Sequence, residues 1–340
     1  MRAMSRATPQ TAPFGSILTD DMAIAWYRNG RWGRAELRAV GPIEIHPAAH
    51  ALHYGSECFE GFKAYQWADG SVHVFRMDRH IERLRQSARS LVLPEPDAAE
   101  VAAMVVAVVD RSRAAVPAAP GALDLRPLLF GTMANIGAAS TPTDEACLIV
   151  LASPVWDYFA GGAKPLRIYV EEQATRSASR FGVVKTGGNY AAALGPTLAA
   201  RRAHQVDQVL FCPGGDVQET GAANFLLIRP RHILTRSLDA TFLHGVTRDS
   251  LLRMAADMGW RIEERVFSVD EMLAWVRDGE AALSGTAAVL SGVGTLIREG
   301  GEEIRVGSGA LGPETEKLRA ALVAIQQGTS PDRYGWLRRV

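Results

Sequence analysis

The sequence predicts an α/β fold divided into two domains, and three observations carry that prediction. The chain has 340 residues, 47% hydrophobic and 22% charged, which is the composition of a packed interior and enough length for two domains of usual size. Stretches that alternate apolar and polar residues are interspersed with stretches whose apolar residues recur at helical spacing. Residues 153–165, S-P-V-W-D-Y-F-A-G-G-A-K-P, break both periodicities and read as a linker. The expected layout is a tail over 1–13, a first domain over 14–152, that linker, and a second domain over 166–340.

In the first domain, strands are expected at 22–27, 31–36 and 40–46, with Asn29-Gly30 as a hairpin turn. The run L-H-Y-G-S-E-C-F-E-G-F-K-A-Y, 52–65, should end as a strand and turn through Ala68-Asp69-Gly70 into another at 72–75. Arg76 closes that strand, and Asp78 is placed to cap a helix bearing Ile81, Leu84, Ala88 and Leu91. A second helix fits 98–115; its apolar run 101–109 is far shorter than the roughly 20 residues of a membrane span. Strands follow at 123–131 and 146–152.

The second domain begins with a strand at 166–171. The stretch F-G-V-V-K-T-G-G-N-Y then leads into a helix over about 189–204, which Gly195-Pro196 should disturb. A hairpin spans 208–219 and turns at 213–216, and strands follow at 225–228 and 232–235. Thr247 is positioned to cap a helix containing Leu251, Leu252, Ala255 and Met258. Ser268 and Glu271 form a capping box for 272–277, and a strand at 281–283 ends at Ser284-Gly285-Thr286.

Composition also excludes some classes of function. Net formal charge is zero and no long basic run exists, so neither a nucleic-acid nor a membrane surface is expected. The N-terminal residues lack the apolar segment of a secretory signal. Cys58, Cys147 and Cys212 are widely spaced, which suits reduced thiols in a cytoplasmic protein and gives neither a disulfide framework nor a zinc site.

Lys185 is the residue around which chemistry can be built. It lies between a short apolar run and Gly187-Gly188, glycines that permit positive φ or close approach of another group. A lysine partly desolvated at such a turn is shifted toward its neutral amine, a nucleophile that condenses with carbonyl groups. Glu219 lies just past the hairpin turn, and a carboxylate there can keep a pyridine nitrogen protonated so that the ring accepts electrons. Gly245-Val246-Thr247 precedes a helix whose free N–H groups and dipole suit a phosphate. Ser284-Gly285-Thr286 offers a second Gly-opened backbone with a hydroxyl, and Arg76 can pair with a dianion. Taken singly, each has an ordinary explanation: a surface lysine, an exposed glutamate, a helix cap, a solvated arginine.

Their order is what distinguishes them. The motifs H-Y-G-S-E-C-F-E-G-F-K-A-Y, V-F-R-M-D-R-H, L-R-P-L-L-F-G-T, K-T-G-G-N-Y, Q-E-T-G-A-A-N-F, H-G-V-T-R-D and L-S-G-T-A-A follow one another between Ile45 and the C-terminus. In that order they resemble the class IV aminotransferases, and the branched-chain aminotransferases most of all. The resemblance implies fold type IV, with a smaller N-terminal α/β domain and a larger C-terminal domain around a β-barrel-like core. It implies pyridoxal 5'-phosphate as cofactor, and ping-pong transfer of an amino group from a branched-chain-like L-amino acid to a 2-oxo acid such as 2-oxoglutarate, through pyridoxamine phosphate. It also implies homodimers.

By the same resemblance, Lys185 forms the Schiff base and carries the proton, Glu219 pairs with the pyridine nitrogen, and Tyr190 bonds the ring hydroxyl. Arg76, Val246, Thr247, Gly285 and Thr286 hold the phosphate. The N–H groups of Ala287 and Ala288 take the substrate α-carboxylate. Tyr54, Phe59 and Arg126 line the side-chain pocket, with Tyr54 a residue that the partner subunit can supply.

The chain departs from the family's Tyr-x-Arg-Pro at Asp124-Leu125-Arg126-Pro127, where a carboxylate replaces an aromatic ring. A buried carboxylate needs a partner, and Arg126, two residues on along the same strand face, is the expected one. Asp124 then either weakens the hold of Arg126 on a dicarboxylate or receives a polar or cationic substrate group. This leaves open an aminotransferase for an unusual amino acid. D-amino acid aminotransferases and aminodeoxychorismate lyases share the implied fold, but they are shorter and lack F-E-G-x-K-A-Y. Ala223 stands where many bacterial relatives have glutamate.

Overall fold

The computed structural model describes residues 13–156 and 164–340. These fall into two units, 13–156 together with 326–340, and 164–325.

The first unit contains β1 (Asp21–Arg28), β2 (Arg31–Trp32), β3 (Glu36–Ala39), α1 (His50–Tyr54), β4 (Glu57–Phe59), β5 (Phe62–Gln66), β6 (Val72–Phe75), α2 (Met77–Ser90), α3 (Ala98–Arg111), β7 (Ala122–Gly131) and β8 (Ala146–Val155). With the chain's last strand, Leu337–Arg339, these strands form one antiparallel sheet in which β5, β7, β8 and β1 are successive neighbours. Period-two alternation sends Phe62, Ala64, Leu123 and Leu125 into a core shared with Ile81 and Leu84 of α2 and Val101, Val105 and Val108 of α3. Lys63, Tyr65, Asp124 and Arg126 therefore lie on the opposite sheet face.

Some expectations for this unit change. No strand forms at 40–46, because Gly41-Pro42 and Pro47 interrupt it; β1 pairs instead with β3, which ends at Ala39. Asp78 is not the cap of α2. That helix starts at Met77, its N-cap is Arg76 in the left-handed region (φ 50°), and Asp78 lies in the first turn, where its charge suits the helix dipole. The helix expected over 98–115 ends at Arg111 and gives way to a short 3₁₀ turn, Arg113–Ala115. The expected tail lies outside the described residues except for Pro13, as does 157–163 of the expected linker; β8 itself continues to Val155.

The second unit contains β9 (Leu166–Glu171), α4 (Gly187–His204), β10 (Gln208–Phe211), β11 (Asn224–Arg229), β12 (His232–Thr235), α5 (Val246–Asp257), β13 (Arg261–Glu264), α6 (Val269–Trp275), β14 (Glu280–Gly285), β15 (Val289–Ile297), β16 (Glu303–Arg305) and most of α7 (Pro313–Gln326). Its sheet runs β10-β9-β15-β14-β11-β12-β13 and mixes parallel with antiparallel pairs. Phe225, Leu227, Ala281 and Leu283 pack on one face with Met272 and Trp275 of α6. Ser268 accepts from the Glu271 N–H at 3.2 Å, as the capping box requires.

Here too the structure differs from the sequence reading in places. The helix α4 continues through Pro196 without interruption. The arm after the 213–215 turn is not a full strand, although the Phe211 N–H reaches the Glu219 carbonyl at 3.0 Å. The N-cap of α5 is Gly245, and Thr247 is its second residue. The final strand, β17 (Leu337–Arg339), pairs with β6, so the C-terminal residues join the first unit, whereas the sequence division grouped them with the second. No helix among the described residues is long and apolar enough to cross a membrane.

Candidate active site

The loop before α4 is tied to its own backbone. The Asn189 amide donates to the carbonyls of Phe181 and Val184, both at 2.9 Å, and so fixes the turn that carries Lys185. The glycine this turn requires is Gly182, where a Cβ would fall 2.2 Å from backbone atoms of Thr241. The close approach expected at Gly188 is absent: a Cβ there meets nothing within 4 Å, because the residue lies on the exposed start of α4. Lys185 is half-buried and donates to the Tyr190 hydroxyl at 2.7 Å.

From Tyr190 the site continues inward. The Arg176 guanidinium lies 5.7 Å from the Tyr190 ring centroid. Its Nη1 is 2.7 Å from Glu219 Oε1, an ion pair in which both side chains are only 2% exposed. The Leu243 N–H donates to Glu219 Oε1 at 2.8 Å and Asn224 Nδ2 to Oε2 at 3.0 Å. A buried carboxylate is thus compensated by one cation and two neutral donors. The sequence reading found Glu219 but missed Arg176 and Asn224. Arg176 sits in a loop without periodicity, and only the fold shows that Asn224 is bridged to Glu219.

Asn224 also accounts for Gly245. A Cβ at position 245 would lie 2.0 Å from Asn224 Oδ1, and Asn224 cannot swing away while it donates to Glu219 and to the Leu243 carbonyl at 2.8 Å. The N-cap position of α5 carries no side-chain hydrogen bond, so first-turn N–H groups at Val246 and Thr247 remain for an anion. Across the β11–β14 pair, Ser284 stands directly opposite Asn224 and on the same sheet face. Its hydroxyl is buried and makes no hydrogen bond among the described residues.

An amine beside a phenol, a shielded carboxylate, an open helix start and an unsatisfied buried hydroxyl make a site for a phosphorylated heteroaromatic aldehyde. The comparisons with known proteins decide the family. Residues 57–294 match the family model for class IV aminotransferases. The chain belongs to the class IV aminotransferases.

Among its relatives, the branched-chain-amino-acid aminotransferase of Mycobacterium tuberculosis is 39% identical over 346 residues, covering 96% of this chain and 92% of that protein. The crystal structure of the Escherichia coli branched-chain amino acid aminotransferase superposes with a TM-score of 0.76 at 25% identity, covering 93% of this chain and 98% of that one. The branched-chain aminotransferase from the thermophilic archaeon Thermoproteus uzoniensis, solved with norvaline, also has a TM-score of 0.76 at 25% identity, covering 94% and 99% of the two chains. The mixed α/β architecture is the one these aminotransferases have.

Within the first unit of this aminotransferase, Arg76 is 4% exposed, and its guanidinium lies 5.1 Å from the Trp336 ring centroid. Tyr54, 38% exposed, donates its hydroxyl to the Ile136 carbonyl. The Arg126 guanidinium lies 5.0 Å from the Phe59 ring centroid, and its Nε makes no hydrogen bond among the described residues. Asp124 is buried, and Arg126 approaches it only to 3.8 Å. The strand register puts buried Lys63 directly opposite Asp124 on the same face, a cross-strand charge pair that the sequence reading did not include. Burial pushes the Tyr65 phenol up, and the Asp124 charge adds to that.

The FEG motif has its own anchor. Glu60 is fully buried, 2.6 Å from both His80 Nδ1 and Arg83 Nε. Its N–H bonds the Pro127 carbonyl at 2.8 Å, which ties the loop after Phe59 to the strand that carries Arg126.

Proposed function

We propose that this class IV aminotransferase binds pyridoxal 5'-phosphate and transfers the amino group of a branched-chain-like L-amino acid to a 2-oxo acid such as 2-oxoglutarate. The observation that carries the reading is the continuous array Lys185–Tyr190–Arg176–Glu219, with contacts of 2.7 Å at each end. The cofactor, when bound, supplies an aldehyde and an electron-accepting ring.

This chain's own residues then have defined tasks. Lys185 provides the amine and moves the proton at the substrate Cα. Tyr190 holds the Lys185 amine by its hydroxyl and orients a ring oxygen. Glu219, kept charged by Arg176, Asn224 and the Leu243 N–H, pairs with a ring nitrogen. Val246, Thr247, Gly285 and Thr286 bind the phosphate, Ser284 offers its unpartnered hydroxyl nearby, and Ala287 and Ala288 offer N–H groups to the substrate carboxylate. Arg76 is a further phosphate ligand, and Phe59, Tyr54, Asp124 and Arg126 set side-chain preference. The enzyme works as a cytoplasmic homodimer, in keeping with three free, buried cysteines.

A substrate screen tests this reading. Purified protein loaded with pyridoxal 5'-phosphate is assayed on L-leucine, L-isoleucine, L-valine, polar L-amino acids and D-alanine, with 2-oxoglutarate as acceptor. Turnover of the branched-chain set is expected. Turnover of D-alanine alone, or of none, would defeat the reading; preference for a polar L-amino acid would move it to the specialised enzyme that Asp124 favours.

A further inference from the structure

Val289 has φ 63°, a left-handed backbone that a β-branched residue rarely adopts. It stands where β14 returns as β15: Gly285 and Val289 are the last cross-strand pair, and the chain reverses over Thr286, Ala287 and Ala288. The Leu290 N–H bonds the Ala288 carbonyl at 2.8 Å, a γ-turn centred on Val289 in its rare positive-φ form. Short hairpin loops commonly place glycine at such a position. The Val289 side chain is buried, so packing holds a backbone conformation that its own preference opposes.

The turn has a consequence for Ala288. Its carbonyl is drawn into the γ-turn, while its N–H meets no acceptor among the described residues. This open donor lies on the loop that begins at Ser284, whose buried hydroxyl also lacks a partner, and it is suited to an anionic group from outside the chain.

We infer that Val289 is a positioning residue whose enforced left-handed backbone aims the Ala288 N–H at the substrate α-carboxylate. This deepens the function proposed above and rests on it. The pre-set turn means that the donor needs no reorganisation when substrate arrives.

Two variants test the inference. Val289→Ala removes the two methyl groups and Val289→Gly removes Cβ as well, so on packing alone glycine should be the less stable, while its tolerance of positive φ acts the other way. Where φ is negative, alanine is the more stable of the two; in the left-handed region the order reverses. In thermal unfolding of the purified full chain, Val289→Gly should melt above Val289→Ala, and the opposite order overturns the inference. The holoenzymes are then titrated with 4-methylvalerate, which has the carbon skeleton and carboxylate of leucine but no amine. Val289→Gly frees the turn, so its Kd for 4-methylvalerate and its KM for L-leucine should rise about 10-fold, with kcat changed by less than about threefold. Unchanged Kd and KM in an active Val289→Gly enzyme would overturn the inference alone. A wild-type protein that neither transaminates nor binds 4-methylvalerate would remove the functional reading and the inference with it.

Discussion

Arg176 and Glu219 form a buried ion pair, 2.7 Å apart and each 2% exposed, beneath the Lys185–Tyr190 contact. Removing one member of such a pair leaves the other charge stranded in a low-dielectric interior, at a cost of about 3–5 kcal/mol. Arg176→Ala should therefore lower unfolding free energy by about that amount in urea titrations. Arg176→Lys should recover only part of it, because an ammonium paired with Glu219 does not also replace the Arg176 Nε–H that bonds the Gly221 carbonyl at 3.3 Å. If both variants unfold like the parent protein, Arg176 is not the counter-ion of Glu219.

Lys185→Ala removes the amine that donates to the Tyr190 hydroxyl. Transamination should fall by about 10²–10⁴-fold or more, because the proposed acid-base group and the proposed covalent anchor are lost together. Borohydride treatment followed by mass analysis provides a second check. The parent protein should retain a reduced B6 adduct on the peptide containing Lys185, and the variant should retain none. An adduct on another lysine would move the site.

Lys185 and Glu219, on which the proposed site rests, are legible because each sits in a short run of turn-forming residues whose order along the chain is distinctive. The residues that make Glu219 tolerable are not. Arg176 is brought to it from 43 positions earlier in the sequence by a loop with no period, and Lys63 faces Asp124 through a strand register that only the folded sheet fixes. The helix caps show the same limit. Ser268 announced itself because its side chain makes the bond, whereas Gly245 and Arg76 cap by backbone conformation and packing. Pro196 does not break α4, which runs through it with Ala193, Thr197 and Ala200 buried on either side.

Asp124 tests how substrate preference is set. The strand register sets Lys63 opposite it and Arg126 reaches it at 3.8 Å, so the carboxylate faces a cation on the neighbouring strand as well as Arg126. Asp124→Tyr restores the family's aromatic residue and should raise kcat/KM for L-leucine. It should also cost about 3–5 kcal/mol of stability, because buried Lys63 loses the charge opposite it. Steady-state kinetics on L-leucine beside a denaturant titration separates the two effects. No gain on L-leucine in folded enzyme would mean that Asp124 does not shape the pocket.

Glu60 gives the first unit an acid-sensitive point. Burial alone would push its carboxyl up, but the Arg83 guanidinium and the His80 ring override this and hold it well below the usual carboxylate range. A group with a depressed folded pKa contributes its stability above its unfolded pKa and loses it as protons bind. The contribution of Glu60 should be complete at pH 7 and decline as the pH falls below the ordinary glutamate value of 4.5. Glu60→Gln keeps the shape but removes the charge. The variant should be less stable than the parent at pH 7 by about 3–5 kcal/mol, and the gap should narrow on acidification toward pH 3. Denaturant titrations of both proteins across that range measure the gap, and a difference that stays constant with pH would show that the Glu60 charge carries none of it.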